Sequence, residues 1–203
     1  MPCCLMLAPF PVVIPRHGGQ VRTATTARAL SRAGWRVDVV GLYHADFYPA
    51  VERGVLDIVI SDPVVSRRAT DDVLFGDLHV ARAAAGDSRV VDQLRMLLAR
   101  LRPDVVQVEH PWSWLVLRTA LPRKGGPKVV YSSHNIEWNL RLPLLGLNLN
   151  RPGSDRLMEA TRLLEREVAR AADVTLSISD IEGARIQQFS FYQTGRFSRL
   201  LPQ

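Results

Sequence analysis

The sequence predicts an α/β fold built on a doubly wound parallel sheet with helices on both faces. Short apolar runs rich in β-branched residues alternate with longer segments of helical periodicity, a pattern typical of α/β proteins. No turn signal of the kind that closes a β-hairpin separates these runs. The strands are therefore expected to be joined by crossovers, which parallel strands require.

The first half of the chain begins with an apolar run, CCLMLA at residues 3–8, which predicts a buried strand. A loop rich in proline and glycine follows, and then a helix over residues 20–33 with Val21, Ala24, Ala27 and Leu30 on its apolar face. RVDVVGL predicts a second strand and residues 55–60 a weaker one. Residues 62–76 are expected to form a mobile loop.

The second half repeats one order of elements. Helical periodicity over residues 77–102, with a break at Gly86, leads to the strand that ends at Glu109. Residues 111–121 form the crossover to the next strand, which starts at Lys128 and ends in polar residues. A helix over residues 154–172 precedes the last strand, at residues 173–179.

The composition is that of a globular protein with one sizeable core. Of 203 residues, 47% are hydrophobic and 23% are charged, and the net charge of +6 is an arginine excess. The basic residues form no stripe interleaved with aromatic residues, so we expect no nucleic-acid partner. Cys3 and Cys4 are adjacent and provide no disulfide framework, which favours a cytoplasmic location.

No segment resembles a secretion signal or a membrane-spanning helix, because charged residues and prolines interrupt each apolar run. The positive net charge is compatible with peripheral contact with the inner face of a membrane. We expect one domain over residues 1–186. Residues 187–203 lack acidic residues and any strand-turn-helix order, and they predict an irregular or disordered tail.

Gly18 and Gly19 lie between the first strand and the first helix, where glycine lets the backbone approach a ligand and a helix N-terminus favours an anion. A plain flexible turn is the alternative. The dinucleotide fingerprint G-x-G-x-x-G and the Walker A motif are both absent from the sequence.

Glu109 and His110 end one strand, and SHNIEW at residues 133–138 ends the next. Ligands of open parallel sheets bind outside the carboxyl ends of the strands, so both clusters are candidate site residues. Adjacent strand residues point to opposite faces, and we expect His110 rather than Glu109 to face a ligand. A helix cap at Asn135 and a core position for Trp138 are the alternatives. No metal-ligand set is recognisable.

Several of these segments together are similar to the N-terminal domain of glycosyltransferase family 4 enzymes, which have the GT-B fold of two Rossmann-like domains. The similarity covers about residues 3–186. The matching segments are residues 9–19 ending in Gly18-Gly19, LSRAGWRVDVV at 30–40, RPDVVQVEH at 102–110, SSHNIE at 132–137 and AADVTLSISD at 171–180.

The resemblance implies the acceptor-side half of an enzyme that moves a sugar from a nucleotide-sugar, its co-substrate, to a glycan or lipid acceptor. Transfer would retain the anomeric configuration and need no metal or other cofactor. His110 would be the catalytic residue, near the transferred sugar, and Gly18 and Gly19 would lie against the donor diphosphate and the acceptor. The acceptor-side cleft would be lined by His134, Asn135 and Glu137.

The family's C-terminal domain, with the Arg/Lys pair and the E-x7-E carboxylates that hold the donor, has no counterpart in the sequence. We therefore expect a truncated chain that is inactive alone or is completed by a separately encoded C-terminal half. A non-catalytic module that binds sugars or anionic lipids is one alternative. Another is a nucleotide-dependent enzyme of a different Rossmann type.

Overall fold

The structure is a computed structural model that describes residues 1–122, 124–145 and 153–190. Its strands are β1 (Cys3–Ala8), β2 (Arg36–His44), β3 (Ile58–Ile60), β4 (Val105–Glu109), β5 (Lys128–Ser132) and β6 (Val174–Leu176). In the described residues they form one parallel sheet in the order β3-β2-β1-β4-β5-β6. The predicted doubly wound α/β sheet is confirmed.

Seven of the eight helices described here lie between strands in the chain, and α8 follows the last strand. The helices are α1 (Gly18–Arg32), α2 (Pro63–Asp71), α3 (Gly76–Gly86), α4 (Ser88–Leu101), α5 (Trp114–Ala120), α6 (Glu137–Leu145), α7 (Ser154–Ala171) and α8 (Asp180–Ser190). Right-handed crossovers place α1 on one face of the sheet and the helices between β3 and β6 on the other. On that second face α3 packs against α4 and α5, and α5 packs against α7.

The core lies between the sheet and this helical layer. Every residue of β1 is buried, as expected for a central parallel strand covered on both faces. Helix α4 shows why these segments fold locally: Asp87 accepts the Arg89 N–H at 2.9 Å as an N-cap, and Leu94 and Leu98 fall on the buried face. The predicted break at Gly86 is confirmed, since α3 ends there.

Residues 62–76 do not form the loop that we predicted from the sequence. Asp62 caps α2 by accepting the Val64 N–H at 2.8 Å, and Pro63 occupies the first helical turn. Val65 and Ala69 anchor the helix in the core. The prediction was wrong because only Val65 and Ala69 of α2 are buried while Val64 is exposed, so the apolar residues of this helix show no clear helical period.

The apolar face predicted for α1 was also wrong in part. Val21 is 48% exposed, whereas Gln20, Thr23 and Ala24 are buried. The two polar residues tolerate burial because both are hydrogen-bonded: the Arg16 N–H donates to Gln20 Oε1 at 2.6 Å, and the Thr23 hydroxyl donates to the Gly19 carbonyl at 3.0 Å.

Some predicted boundaries shift in the structure. The strands β3 and β6 are shorter than predicted, and α1 begins at Gly18, so both glycines lie in its first turn. The boundary expected after residue 186 falls within α8, and residues 187–190 are helical. The remainder of the predicted tail, residues 191–203, lies outside the described residues. In the described part of the chain, no helix is long and apolar enough to span a bilayer.

Gly41 joins β2 to the loop that follows β1. A Cβ atom at Gly41 would lie 2.9 Å from the Phe10 carbonyl oxygen and 2.9 Å from Asp57 Oδ1. The Gly41 N–H donates to the same Asp57 oxygen at 2.8 Å, and the Tyr43 hydroxyl donates to Asp57 Oδ2 at 3.0 Å. Only glycine therefore fits where the loop crosses the strand.

We predict that Gly41→Ala lowers the free energy of unfolding by about 1–3 kcal/mol, because backbone atoms must move to admit the methyl group. Gly86→Ala is the matched control, since a Cβ there would meet no atom within 4 Å. Urea denaturation of both variants measures the difference. Equal stability of the two variants would contradict the close packing at Gly41.

Candidate active site

A cavity of 350 Å³ opens at the carboxyl ends of β1 and β4, where the strand order reverses. This is the expected ligand position in an open parallel sheet. Its lining residues are Pro9, Phe10, His17, Gly19, Tyr48, Asp77, His110, Trp112, His134, Asn135 and Glu137. A larger concavity of 1030 Å³ lies at the amino ends of β4 and β5. We take the smaller one as the site because the titratable groups converge there.

Most of the predicted site residues meet in this cavity. The wall includes Gly19, His110, His134, Asn135 and Glu137. Gly18 does not line it, and a Cβ at Gly18 would meet no atom within 4 Å. Glu109 is fully buried behind the wall, so it supports the site without facing it. His110 lines the cavity, whereas Glu109 does not.

His110 follows β4 directly, and its backbone has a φ of 63°. This left-handed conformation is costly for a residue other than glycine and commonly marks a functional position. The His110 N–H donates to the Ser132 carbonyl at 3.2 Å, which ties the turn to β5. The conformation turns the imidazole into the cavity instead of continuing the alternation of the strand.

The His110 ring is held by Glu137, the first residue of α6. Nδ1 lies 2.9 Å from Glu137 Oε1 and donates to this carboxylate. Nδ1 is thus engaged, and Nε2 is the ring nitrogen left for a ligand. A histidine fixed in this way is suited to orienting a hydroxyl group or accepting its proton.

Arg141, one turn further along α6, is a second partner of the Glu137 carboxylate. Its guanidinium donates to Glu137 Oε2, to the Glu137 carbonyl at 3.1 Å and to the Leu74 carbonyl at 2.6 Å. It also stacks over the Trp112 ring, 4.8 Å from the ring centre. Burial acts to raise the pKa of Glu137, but the hydrogen bond and charge of His110 and the charge of Arg141 outweigh it and lower the pKa to about 2.

Glu165 of α7 holds the N-terminus of α6 in place. It accepts the Glu137 N–H at 2.9 Å and the Trp138 N–H at 3.2 Å, so a side chain from another helix satisfies two amides of the first turn. Burial, reinforced by the nearby charge of Glu137, raises the pKa of Glu165 to about 8. The position of Glu137 therefore depends on the packing of α7 against α6.

A second carboxylate and histidine pair lies on the neighbouring strands. His134, after β5, bonds through Nε2 to Glu109 Oε2 at the end of β4. Gln107 donates to the other oxygen of Glu109 at 2.5 Å. Burial alone would raise the pKa of Glu109, but the hydrogen bonds from His134 and Gln107 lower it, so Glu109 is ionised. An ionised carboxylate accepts only, and Nε2 of His134 must carry the hydrogen.

His134 is uncharged near neutral pH. Burial lowers its pKa, and the positive charges of His110 and Arg22 act in the same direction against the effect of Glu109. With the hydrogen on Nε2, Nδ1 of the neutral ring is a hydrogen-bond acceptor. The His110 and His134 rings lie 4.1 Å apart, so two differently held histidines stand side by side in the cavity.

Other residues of the wall were missed from the sequence. Phe10 contacts three histidine rings edge-on: those of His17, His110 and His134, at 5.0, 5.7 and 6.5 Å between ring centres. His17 had been given no role, yet it lies in the cavity with a pKa lowered by burial and by the charge of His110. Tyr48, Asp77 and Trp112 were also missed, because they come from loops and helix ends whose arrival at the sheet edge no local pattern indicates.

The structure distinguishes between the alternatives for Trp138 and Asn135 in the segment after β5. Trp138 packs against the core and does not line the cavity, as the core alternative predicted. Asn135 lines the cavity, and it is not a helix cap because α6 begins two residues later. Among the described residues, no group of three or more His, Cys, Asp or Glu side chains is placed to hold a metal ion.

We predict that Glu137→Gln lowers the free energy of unfolding by about 3–5 kcal/mol at pH 7, because it leaves the buried Arg141 charge unpaired. The folded pKa of Glu137 is about 2 against an ordinary value of 4.5. The stabilisation by the ionised group is therefore present above pH 4.5 and is lost as the pH falls toward 2. Urea denaturation at several pH values should show the deficit of the variant shrinking on acidification.

Glu159→Gln is the matched control for this experiment. Glu159 forms an exposed pair with Arg162 on α7, with both side chains about half exposed. Its loss should cost at most about 1 kcal/mol. A Glu137 variant as stable as the Glu159 variant, or a deficit that does not change with pH, would contradict the role given to Glu137.

The sequence comparison shows the family, and the structure comparison shows the fold. The sequence matches the model of the glycosyl transferase 4-like domain over residues 17–197. Sucrose-phosphate synthase from Thermosynechococcus elongatus has a similar fold, with a TM-score of 0.61 at 15% identity over 98% of this chain and 47% of that chain. A second structure of that enzyme gives a TM-score of 0.55 at 12% identity, over 97% of this chain and 87% of the other.

No curated protein sequence matches this one. The chain spans about half the length of the first sucrose-phosphate synthase structure. The family match covers most of the sequence, and the six-stranded parallel sheet agrees with the fold of that enzyme. The chain belongs to the glycosyl transferase 4-like domain family.

Proposed function

We propose that this chain is the acceptor side of a glycosyltransferase that moves a sugar from a nucleotide-sugar to an acceptor hydroxyl. The observation that carries the proposal is the pair of cavity histidines, each held by a buried carboxylate, at the switch point of a family-4-like sheet. Such an arrangement suits positioning and deprotonation of a hydroxyl group. It supports a catalytic role more directly than a role in binding alone.

In the proposed reaction, the bond between the anomeric carbon and the donor diphosphate breaks, and a bond from that carbon to the acceptor oxygen forms. His110 contacts the acceptor hydroxyl through Nε2, with Nδ1 held by Glu137. The Nδ1 atom of His134 is a second hydrogen-bond acceptor in the cavity. His110 Nε2 accepts the proton of the hydroxyl as the new bond forms, and the nucleoside diphosphate leaves with the electrons of the broken bond. Retention without a metal is the stereochemical course that the family resemblance suggests.

The donor diphosphate would lie at the N-terminus of α1. The first turn of this helix contains Gly18 and Gly19, and its positive end favours an anion. A Cβ at Gly19 would lie 3.2 Å from the Phe10 ring, so glycine keeps the backbone close to the cavity wall. Gly18 has open space beside it, which suits a ligand outside the acceptor cavity.

Stabilisation of the leaving diphosphate would come mainly from a second, donor-binding half. Developing negative charge needs preorganised positive groups, and none of the described residues that line the cavity is a lysine or arginine. We predict that the partners are a nucleotide-sugar, a glycan or lipid acceptor and a separately encoded second half. Peripheral membrane contact and a cytoplasmic location are also predictions.

We predict that His110→Ala lowers kcat/KM for sugar transfer by about 100-fold or more, because the acceptor hydroxyl loses its positioned base. The chain is assayed alone and co-expressed with the coding sequence that follows it, using UDP-, GDP- and ADP-sugars with mixed sugar acceptors. Release of nucleoside diphosphate is the measurement. We expect transfer only when a donor-binding half is present.

His79→Ala is the control, since His79 pairs with Asp72 outside the cavity. Its activity should stay within about twofold of the parent protein. Transfer by the chain alone would contradict the assignment of half a site. Unchanged transfer by the His110 variant, or no transfer from any donor in either arrangement, would contradict the proposed activity.

A further inference from the structure

Asp77 is a cavity carboxylate that the histidine pairs leave unused. It lies in the first turn of α3 and lines the same wall as Tyr48 and His110. The residue is exposed, and within the described part of the chain its carboxylate forms no hydrogen bond or ion pair. A ligand in the cavity therefore meets a carboxylate whose acceptor sites are free.

Tyr48 stands next to this carboxylate. The pKa of Tyr48 is raised by burial and then by the negative charge of Asp77, so its hydroxyl remains protonated. Reduced hydration raises the pKa of Asp77 in turn, while the charges of His110 and Arg141 act against that rise. Tyr48 and Asp77 together offer a ligand one hydroxyl group and one carboxylate.

The positively charged groups near the cavity already have hydrogen-bonding partners within the protein. Arg141 donates to the side chain and carbonyl of Glu137 and to the Leu74 carbonyl, and it does not line the wall. Burial lowers the pKa of His17 and of His134, which keeps both rings uncharged near neutral pH. His110 faces the Glu137 carboxylate. An anionic ligand would therefore find no unpaired cation among the described lining residues.

We propose that the acceptor bound in this cavity is a neutral polyhydroxylated molecule, a sugar or polyol, and that Asp77 selects against phosphorylated acceptors. The inference deepens the proposed function and rests on it. Hydroxyl groups donate to Asp77, the Asn135 amide both donates and accepts, and His110 Nε2 meets the reacting hydroxyl. A volume of 350 Å³ is at the small end of the range for ligand pockets.

Selection by Asp77 is a matter of charge. A phosphate group in the cavity would lie near the unpaired Asp77 carboxylate, and like charges repel each other. Rejection of a competitor by such repulsion is a common source of specificity. We expect a phosphate ester of a sugar to bind at least about tenfold more weakly than the free sugar, about 1.4 kcal/mol.

The test follows the histidine ring signals by NMR during titration of the chain with glucose and with glucose 6-phosphate. The chain has five histidines, so the signals of His110 and His134 can be assigned by single substitutions. Glucose should shift both signals in a saturable manner, and glucose 6-phosphate should need at least about a tenfold higher concentration. Asp77→Asn should reduce this preference to about threefold or less.

Asp92→Asn is the matched control, because it removes the same charge from an exposed pair with Arg95 on α4. It should leave the preference unchanged. The proposal is overturned if the parent protein binds the phosphate ester as well as glucose, if Asp77→Asn leaves the preference intact, or if neither probe shifts the two signals.

These outcomes are distinguishable from failure of the proposed function. Sugar transfer that depends on His110 but prefers phosphorylated acceptors would overturn this inference and leave the proposed function standing. Selective binding of glucose without transfer in any arrangement would overturn the proposed activity, while the neutral-ligand preference of the cavity would be supported.

Discussion

Burial of an ionised carboxylate is unfavourable unless a positive or hydrogen-bonding partner accompanies it, and this site buries two of them. Glu109 and Glu137 are each almost fully buried, and each is paired with a histidine that faces the cavity. The cost of leaving either carboxylate unpaired keeps both rings in place. The parallel sheet makes this possible, because the ends of β4 and β5 are neighbours at one edge.

Charge balance extends beyond the two pairs. Arg141 offsets Glu137 on the side away from His110, and Arg22 donates to the Ser133 carbonyl at 3.1 Å beside His134. Glu165, with its pKa raised to about 8, retains much of its proton at neutral pH and so adds little negative charge near Glu137. The cavity wall thus presents two oriented imidazoles, while most of the charges that orient them lie behind it.

The features of the fold and the site that depend on local sequence patterns could be predicted from the sequence. Short apolar runs bounded by proline and glycine predicted the central strands, and the polar residues after β4 and β5 predicted His110, His134, Asn135 and Glu137 at one edge. Helix α2 was missed although Asp62-Pro63 is a helix-start signal, because the apolar periodicity after it is weak. Caps and helix starts are thus readable when they are weighed beside periodicity.

The remaining site residues depend on tertiary packing. Phe10, His17 and Asp77 reach the cavity from a loop, a helix boundary and a helix start, and no spacing in the sequence connects them. The role of Glu165 also could not be predicted from the sequence, because it is one of several carboxylates on an amphipathic helix. Only the packing of α7 against α6 brings it to the amides of Glu137 and Trp138.

Buried carboxylates fix the two histidines that face the cavity. The most direct test is the long-range proton–nitrogen NMR spectrum of the His134 ring at pH 7, which reports its charge and tautomer. The account predicts a neutral ring with the hydrogen on Nε2, bonded to Glu109. A ring with the hydrogen on Nδ1, or a doubly protonated ring at pH 7, would contradict it.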